Sequence, residues 1–473
     1  MNFQGKIQFG FWVLLSVSSL AAAPAADLDL VDAVRAGDQE AVRALLQQRA
    51  DVNATQADGS TALFWAVHRN DRDTTDLLIR AGADADAKNN LGITPLSLAC
   101  TNASAPMVET LLTAGAKPNA ALESGETPLM TCARTGNAQA VKLLVAHGAD
   151  VNVKETRRGQ TPLMWAVSQK HSDVVRALID GGADIHARSD GGFTPLLFAA
   201  RVGDLESAKL LLDAGADVNE GTPENGSALV LASASGHEAV AVLLLEKGAD
   251  PNASDHNGVT PLHFAALKGL PTVGRLRYST ADSHLFRPNM LGLAEELLKR
   301  GANPNAQITK IAYEFSTELI WIDPVGSTPF MLAAATYDPE LVRLLAAHGA
   351  DIRLATKDHT TPLMISVGIG LTAERSEADE AKSLETVKAL VELGVDVNEP
   401  DASGQTPLHA AAYVGSDRVA RFLVEQGANP NAADSYGMTP IAIAEGVTQG
   451  NLPRSKRLRR PHPTTADVMR QAK

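Results

Sequence analysis

Aromatic residues are scarce, at 4% of the 473-residue chain, and cysteine is scarcer, with Cys100 and Cys132 the only two. So few rings argue against a sandwich core of β-branched and aromatic side chains, and two thiols are too few for a disulfide framework. Basic charge is also short: the formal net charge is −13. The shortage is uneven, since residues 451–473 hold seven Lys/Arg against Asp467 alone. An acidic body repels nucleic acid and anionic membrane at long range, so neither partner is expected except through that basic end. Long apolar runs are absent apart from one at the amino terminus, so no transmembrane segment is expected beyond it. What is plentiful is Ala and Leu within a 45% hydrophobic, 21% charged composition. That mix can bury a large core and suits small, closely packed helices, which makes the class all-α.

The single apolar run follows Lys6, extends from Phe9 to Leu20, and ends in Ala21-Ala22-Ala23-Pro24-Ala25-Ala26. This is the plan of a secretory signal peptide, shorter than the roughly 20 residues a spanning helix needs. Cleavage after Ala25 is favoured, because cutting after Ala23 would leave Pro24 directly beyond the cut. Residues 1–25 therefore read as a signal peptide, and the chain as exported, periplasmic or secreted. Retention of the segment as an anchor is the alternative.

Thr-Pro-Leu or a close variant begins at Thr61, Thr94, Thr127, Thr161, Thr194, Ser227, Thr260, Thr328, Thr361, Thr406 and Thr439, mostly 33 residues apart. A Gly follows 21 residues after the Thr in regular copies, as at Gly82, Gly148, Gly215 and Gly427. Each marker has a mechanical reason. The Thr hydroxyl caps free N–H groups at a helix start, Pro at the first helical position has no N–H to waste, and Leu turns inward. A first Gly, as at Gly136, Gly203 and Gly415, can take the left-handed conformation that ends this helix A. Apolar residues then return at helical spacing, Val141-Leu144-Val145 in one copy, to build helix B. The Gly-, Asp- and Asn-rich stretch from Gly148 to Gly159 reads as a projecting turn. Cys100 and Cys132 occupy slots held elsewhere by Ala199 and Ala200, so they read as buried small hydrophobes. A disulfide needs Cα atoms within about 7 Å, against about 8–10 Å for neighbouring helices.

Asp-x-x-Gly-x-Thr-Pro-Leu-His followed by Gly-Ala-Asp-x-Asn resembles the ankyrin repeat, most clearly at Thr260-Pro261-Leu262-His263 and Thr406-Pro407-Leu408-His409. The resemblance covers about Leu28 to Glu445. It implies an α-solenoid over residues 26–446 with short β-hairpin loops and about 11–12 repeats, in which single units are stable only when stacked. The first unit, Leu28–Asn53, lacks Thr-Pro and has Arg49 in place of Gly, as a capping repeat would. After Thr439 no complete helix B is expected. Residues 447–473 are predicted to be a disordered basic tail, with Arg454-Ser455-Lys456-Arg457-Leu458-Arg459-Arg460 able to make weak contact with anionic surfaces.

No catalytic, cofactor-binding or metal-ligating residue stands out. His263 and His409 fall in the repeat's own Leu-His slot, His147 and His348 precede the helix B Gly, and His237 lies in a Gly-His turn. The sequence contains no His-Glu-x-x-His, Gly-x-Ser-x-Gly or phosphate loop. The resemblance instead implies a scaffold whose concave face, made of hairpin tips and helix A, grips a protein partner. Tip residues Arg157, Arg158, Phe193, His256, Asp401 and Tyr436, and helix A residues Arg134, Arg201, Lys268 and Tyr413, are the predicted contacts, chosen where packing makes no demand. A surface-adhesion role through the basic tail and an enzymatic or metal-binding activity in the insertions are the alternatives.

Three insertions interrupt the spacing. Residues 270–290 and 368–382 fall between helices A and B, whereas 308–322 fall in a hairpin tip. The last brings Tyr313, Phe315 and Trp321 among Ile and Leu in partial period-two alternation, the pattern of an extended hairpin. It reads either as a cover for its own repeat or as an apolar finger reaching toward a partner.

Overall fold

The computed structural model describes residues 25–266, 290–310, 325–368, 377–447 and 461–471. The predicted signal peptide up to Pro24 and most of each insertion lie outside them. The chain divides into two compact units, Met1–Ala166 with Asp180–Ala183, and Val167–Ile179 with Asp184–Lys473.

In the first unit, short A helices α1 (Ala25–Ala36), α3 (Ala62–His68), α5 (Pro95–Thr101) and α7 (Pro128–Thr135) alternate with B helices α2 (Gln39–Gln47), α4 (Arg72–Arg80), α6 (Ala105–Thr113) and α8 (Ala138–Ala146). Next come α9 (Pro162–Ser168) and α10 (Ser172–Asp180). The second unit continues with A helices α11 (Pro195–Val202), α13 (Ala228–Ala234), α15 (Pro261–Ala266), α17 (Pro329–Ala335), α19 (Pro362–Val367), α21 (Pro407–Val414) and α23 (Pro440–Ala444). Between them run B helices α12 (Leu205–Asp213), α14 (Glu238–Glu246), α16 (Leu291–Lys299), α18 (Pro339–Ala347), α20 (Glu377–Glu392), α22 (Asp417–Glu425) and α24 (Pro463–Gln471). The only strands among the described residues are β1 (Gly221–Thr222) and β2 (Gly226–Ser227), an antiparallel pair, so most hairpin tips are turns rather than ladders.

The repeat's markers do what their chemistry predicts. Thr61, Thr94, Thr127, Thr194, Thr328 and Thr361 each accept, at the side-chain oxygen, the N–H three residues on, satisfying a donor the helix leaves open. The leucines that follow, Leu63, Leu96, Leu129, Leu163, Leu196 and Leu363, are wholly buried. Each contributes on the order of 2 kcal/mol by leaving water. A helices stack on A helices, α3 on α1 and α5 in the first unit, α13 on α11 and α15 in the second, and B helices likewise. Arg49, standing where other copies have Gly, still adopts the left-handed conformation, with φ 61°.

The connecting turns carry a second device. Asn53 donates its side-chain N–H to the Gly82 carbonyl at 3.2 Å and accepts the Asp84 N–H at 2.8 Å. Asn119 bridges to Gly148 and Asp150 in the same way, and Asn398 to Gly427 and Asn429. Where a turn carries this Asn, as in these three copies, it joins that turn to the next copy.

Three expectations need correction. Cys100 and Cys132 form a disulfide across α5 and α7, with Cα atoms 4.6 Å apart, while both are also wholly buried as expected. The expected 8–10 Å separates helix axes; Cα atoms that face each other lie nearer by about 2.3 Å from each side. The carboxyl-terminal residues are not a disordered tail throughout, because α24 packs on α22 and α23 with Thr465, Ala466 and Met469 buried. It is the helix B of the last repeat. His462 lies where a Cβ on Gly415 would be, as His237 does at Gly203. The basic run, residues 454–460, falls between α23 and α24 in the sequence and lies outside the described residues. Finally, residues 377–382 of the third insertion lengthen α20 to 16 residues, against nine in α18 and α22. Of the hairpin-tip insertion, Ile308 is anchored: it packs beside Val230, Val259 and Phe264, and its N–H donates to the Ser327 carbonyl at 3.0 Å.

Candidate functional site

Helix A ends in the same way in several copies, and its last turn carries cations laid on rings. In the first unit the Arg35 guanidinium lies 5.7 Å from the Trp65 ring centre, and Arg134 lies 5.6 Å from that of Trp165. In the second unit Arg201 sits 4.9 Å from both Phe193 and Phe198, whose rings are tilted against each other at 5.7 Å. The repeat produces this arrangement. The slot seven residues after the capping Thr points out of the stack, and the slot four residues after it lies at the rim of the core.

Phe193 and Arg201, predicted separately as a tip and a helix A contact, are therefore one cluster. Arg134 also meets Glu126 at 3.5 Å. Trp65 and Trp165 were not predicted. The available signal was Trp in a slot that Leu98, Leu231 and Ile365 fill elsewhere.

Several other predicted contacts are held by their own turns. The Asp401 carboxylate accepts the Ser403 and Gln405 N–H groups at 2.8 and 2.9 Å, so it builds the tip. Gln405 donates to the Tyr413 hydroxyl at 3.2 Å and to Asp434 at 3.1 Å, and burial raises the Tyr413 phenol above its ordinary value. The Tyr436 N–H is taken by Asp434. The His256 ring nitrogen Nδ1 lies 2.8 Å from the Glu224 carbonyl oxygen. Arg157 and Arg158 give their backbone N–H groups to Glu155 and leave their side chains exposed. Burial pulls the Glu155 carboxyl up, but the backbone donors of Gln160, Arg157 and Arg158 outweigh it and hold the carboxyl low. Lys268, Tyr313, Phe315 and Trp321 lie outside the described residues.

The histidines of the Leu-His slot serve the fold. His263 Nδ1 accepts the Thr260 N–H at 3.1 Å, and Nε2 lies 3.2 Å from the Ser327 carbonyl, a pattern that needs the neutral ring. His409 repeats it with Thr406 and Met438. Burial drives the His263 pKa down to about 4 and lowers that of His409. Among the described residues no group of three His, Cys, Asp or Glu side chains is placed to hold a metal ion. None of the described helices is long and apolar enough to cross a membrane.

Comparison with known proteins agrees with this geometry. The family model described as ankyrin repeats in three copies matches residues 30–122, 107–189, 158–222, 178–255, 196–284 and 377–451, and the single ankyrin repeat matches 325–357. Among curated proteins, ankyrin repeat and SOCS box protein 6 of Mus musculus is 30% identical over 124 residues, 26% of this chain and 27% of that protein. Its counterparts from Pongo abelii and Homo sapiens are 35% and 34% identical over 134 residues, 27% of this chain and 26% of theirs. The chain thus spans about a quarter of the length of the curated relatives it matches.

Proposed function

The chain belongs to the ankyrin-repeat family, whose repeats serve as protein-interaction scaffolds, and from that premise we propose that it is an exported, non-catalytic scaffold. It grips a protein partner through its hairpin tips and the outward face of helix A. The observation that carries this reading is the Arg201 and Phe193 pair, partly exposed guanidinium and aromatic surface laid over the buried Phe198 at the end of helix α11. Arginine and aromatic side chains are the types that most often dominate interface energetics. Export is supported by the leader pattern and by the Cys100–Cys132 disulfide, a bond that persists in oxidising compartments and is rare in the cytosol.

The test is affinity capture by the chain beginning at Ala26, from envelope and secreted extracts, with bound proteins identified by mass spectrometry. A variant carrying Phe193→Ala, Arg201→Ala and Tyr413→Ala is expected to lose the captured partner while keeping its helical circular dichroism. Unchanged capture by that variant would place the binding elsewhere.

A further inference from the structure

Several hairpin tips share one device. In four of them the first residue is Asn or Asp, and its side-chain oxygen accepts the N–H groups two and four residues on: Asn89, Asp255, Asp401 and Asp434. Such an acceptor stabilises a tight turn. In the third tip Leu122 stands in that place. Its backbone makes the same turn, its N–H on the Glu126 carbonyl and the Gly125 N–H on its own carbonyl, both at 2.9 Å. The leucine side chain, however, offers the Ser124 and Glu126 N–H groups no oxygen.

The joint between this tip and the one before it is also unlike its neighbours. Within the first unit the Asn90 N–H donates to the Asp58 carbonyl and the Thr156 N–H to the Ser124 carbonyl, each at 2.8 Å, so that one tip is tied to the next. The matching pair, the Glu123 N–H and the Leu91 carbonyl, is not bonded among the described residues. Side chains fill the joint instead: Leu122 Cδ2 lies 3.7 Å from where a Cβ on Gly92 would stand. Beside it Leu91 is 62% exposed, the most open large apolar side chain among the described residues. Ile93 and Leu98, both half-buried, extend the patch along the second tip and α5, in the slots of Phe193 and Phe198, whose rings meet at 5.7 Å in a later copy. Leucine shown to water in place of a turn acceptor adds nothing to the stability of the tip, and such breaks of a local rule concentrate at functional sites.

The surroundings set the charge of what would cover this patch. The tips at residues 56–60, 89–93 and 122–126 hold Asp58, Glu123 and Glu126 and no Lys or Arg. Asp58 is engaged by Ser60, and Glu126 by Thr131 and Arg134. Glu123, exposed and adjacent to Leu122, pairs with nothing among the described residues. We infer that the second and third tips of the first unit form a docking site for a partner polypeptide segment that carries an aliphatic side chain beside a lysine or arginine. The aliphatic group covers Leu91, Ile93, Leu98 and Leu122, and the cation meets Glu123. This deepens the scaffold reading and rests on it.

The experiment uses the full chain from Ala26 and three fluorescein-labelled peptides of equal length: leucines flanked by lysines, leucines flanked by glutamates, and serines flanked by lysines. Anisotropy is read at moderate salt, which mutes the general pull of an acidic chain on any cationic peptide. The leucine-lysine peptide is expected to bind saturably and at least about tenfold more tightly than either of the others. Leu122→Asn restores the acceptor that Asn89 supplies, so it should keep or raise the thermal midpoint while weakening that peptide by about tenfold or more. Leu91→Asn, which matches Asn257 in the same slot, weakens it likewise. Glu123→Gln narrows the preference for lysine over glutamate. Leu205→Ser, at an exposed leucine of α12 in the second unit, changes nothing. Equal binding of the serine-lysine peptide, indifference to Leu122→Asn and Leu91→Asn, or a lowered thermal midpoint in Leu122→Asn overturns the proposal, the last because it would make Leu122 a packing residue. A natural partner that is captured by the chain and survives both Leu→Asn changes would sink this inference and leave the scaffold reading standing. Absence of any captured partner, with the leucine-lysine peptide still bound through these leucines, would do the reverse.

Discussion

A buried imidazole whose two ring nitrogens are both engaged by neighbouring groups can act as neither base nor ligand, and His263 and His409 are held in this way. Their cost appears at low pH. His263 titrates near 4 in the fold and near 6.5 when unfolded, so the unfolded chain binds the extra proton first. Its contribution is complete above about pH 6.5, declines as pH falls, and is gone below about 4, a loss of a few kcal/mol at most. Thermal midpoints measured from pH 7 to pH 4 should fall, and His263→Gln should flatten that slope while lowering the midpoint at pH 7. An unchanged slope would mean that carboxylates elsewhere dominate. The structural role of both histidines was legible in the sequence, because Thr-Pro-Leu-His places the ring one turn beyond the capping Thr. Trp65 and Trp165 were not legible as contacts: a Trp in an apolar slot reads as core until the neighbouring arginine is seen to lie over it.

At the level of elements, the caps, both glycine stops and the two-helix hairpin were readable from residue spacing, since each depends on a few adjacent backbone groups. The closing helix was not. Pro463–Gln471 has only nine residues, too short to be stable alone, and its inward set Thr465, Ala466 and Met469 is sparse. What makes it a helix is the exposed flank of α22 and α23, with the His462 N–H on the Ala444 carbonyl at 2.7 Å and Arg470 paired with Glu445 and Asp467. A chain ending at Val447 should therefore lose on the order of 2–4 kcal/mol from the terminal repeats through re-exposed apolar surface. Urea titration should show a lower midpoint or an early transition. An identical curve would mean that α24 adds nothing in solution.

At the level of the molecule, the disulfide is the one covalent link between repeats among the described residues, and it joins neighbouring A helices of the first unit. Closing a loop of this length restricts the unfolded chain by about 3–4 kcal/mol. Mass spectrometry without reduction, on protein recovered from envelope or culture fluid, should find Cys100 linked to Cys132, and Cys100→Ala with Cys132→Ala should lower the melting temperature. Free thiols in the recovered protein would count against both the link and the oxidising compartment. The amino-acid sequence alone determined the family, the repeat length and the two kinds of helix. These follow from period and from local capping chemistry, which neighbouring residues settle among themselves. Tertiary structure decided the cysteine pairing, the helical closure of the carboxyl terminus and the stacking of Arg35, Arg134 and Arg201 on rings. Arg201 meets rings of its own repeat, whereas the cysteine link and the stacks of Arg35 on Trp65 and Arg134 on Trp165 depend on how closely two repeats approach, a distance set by the side chains packed between them.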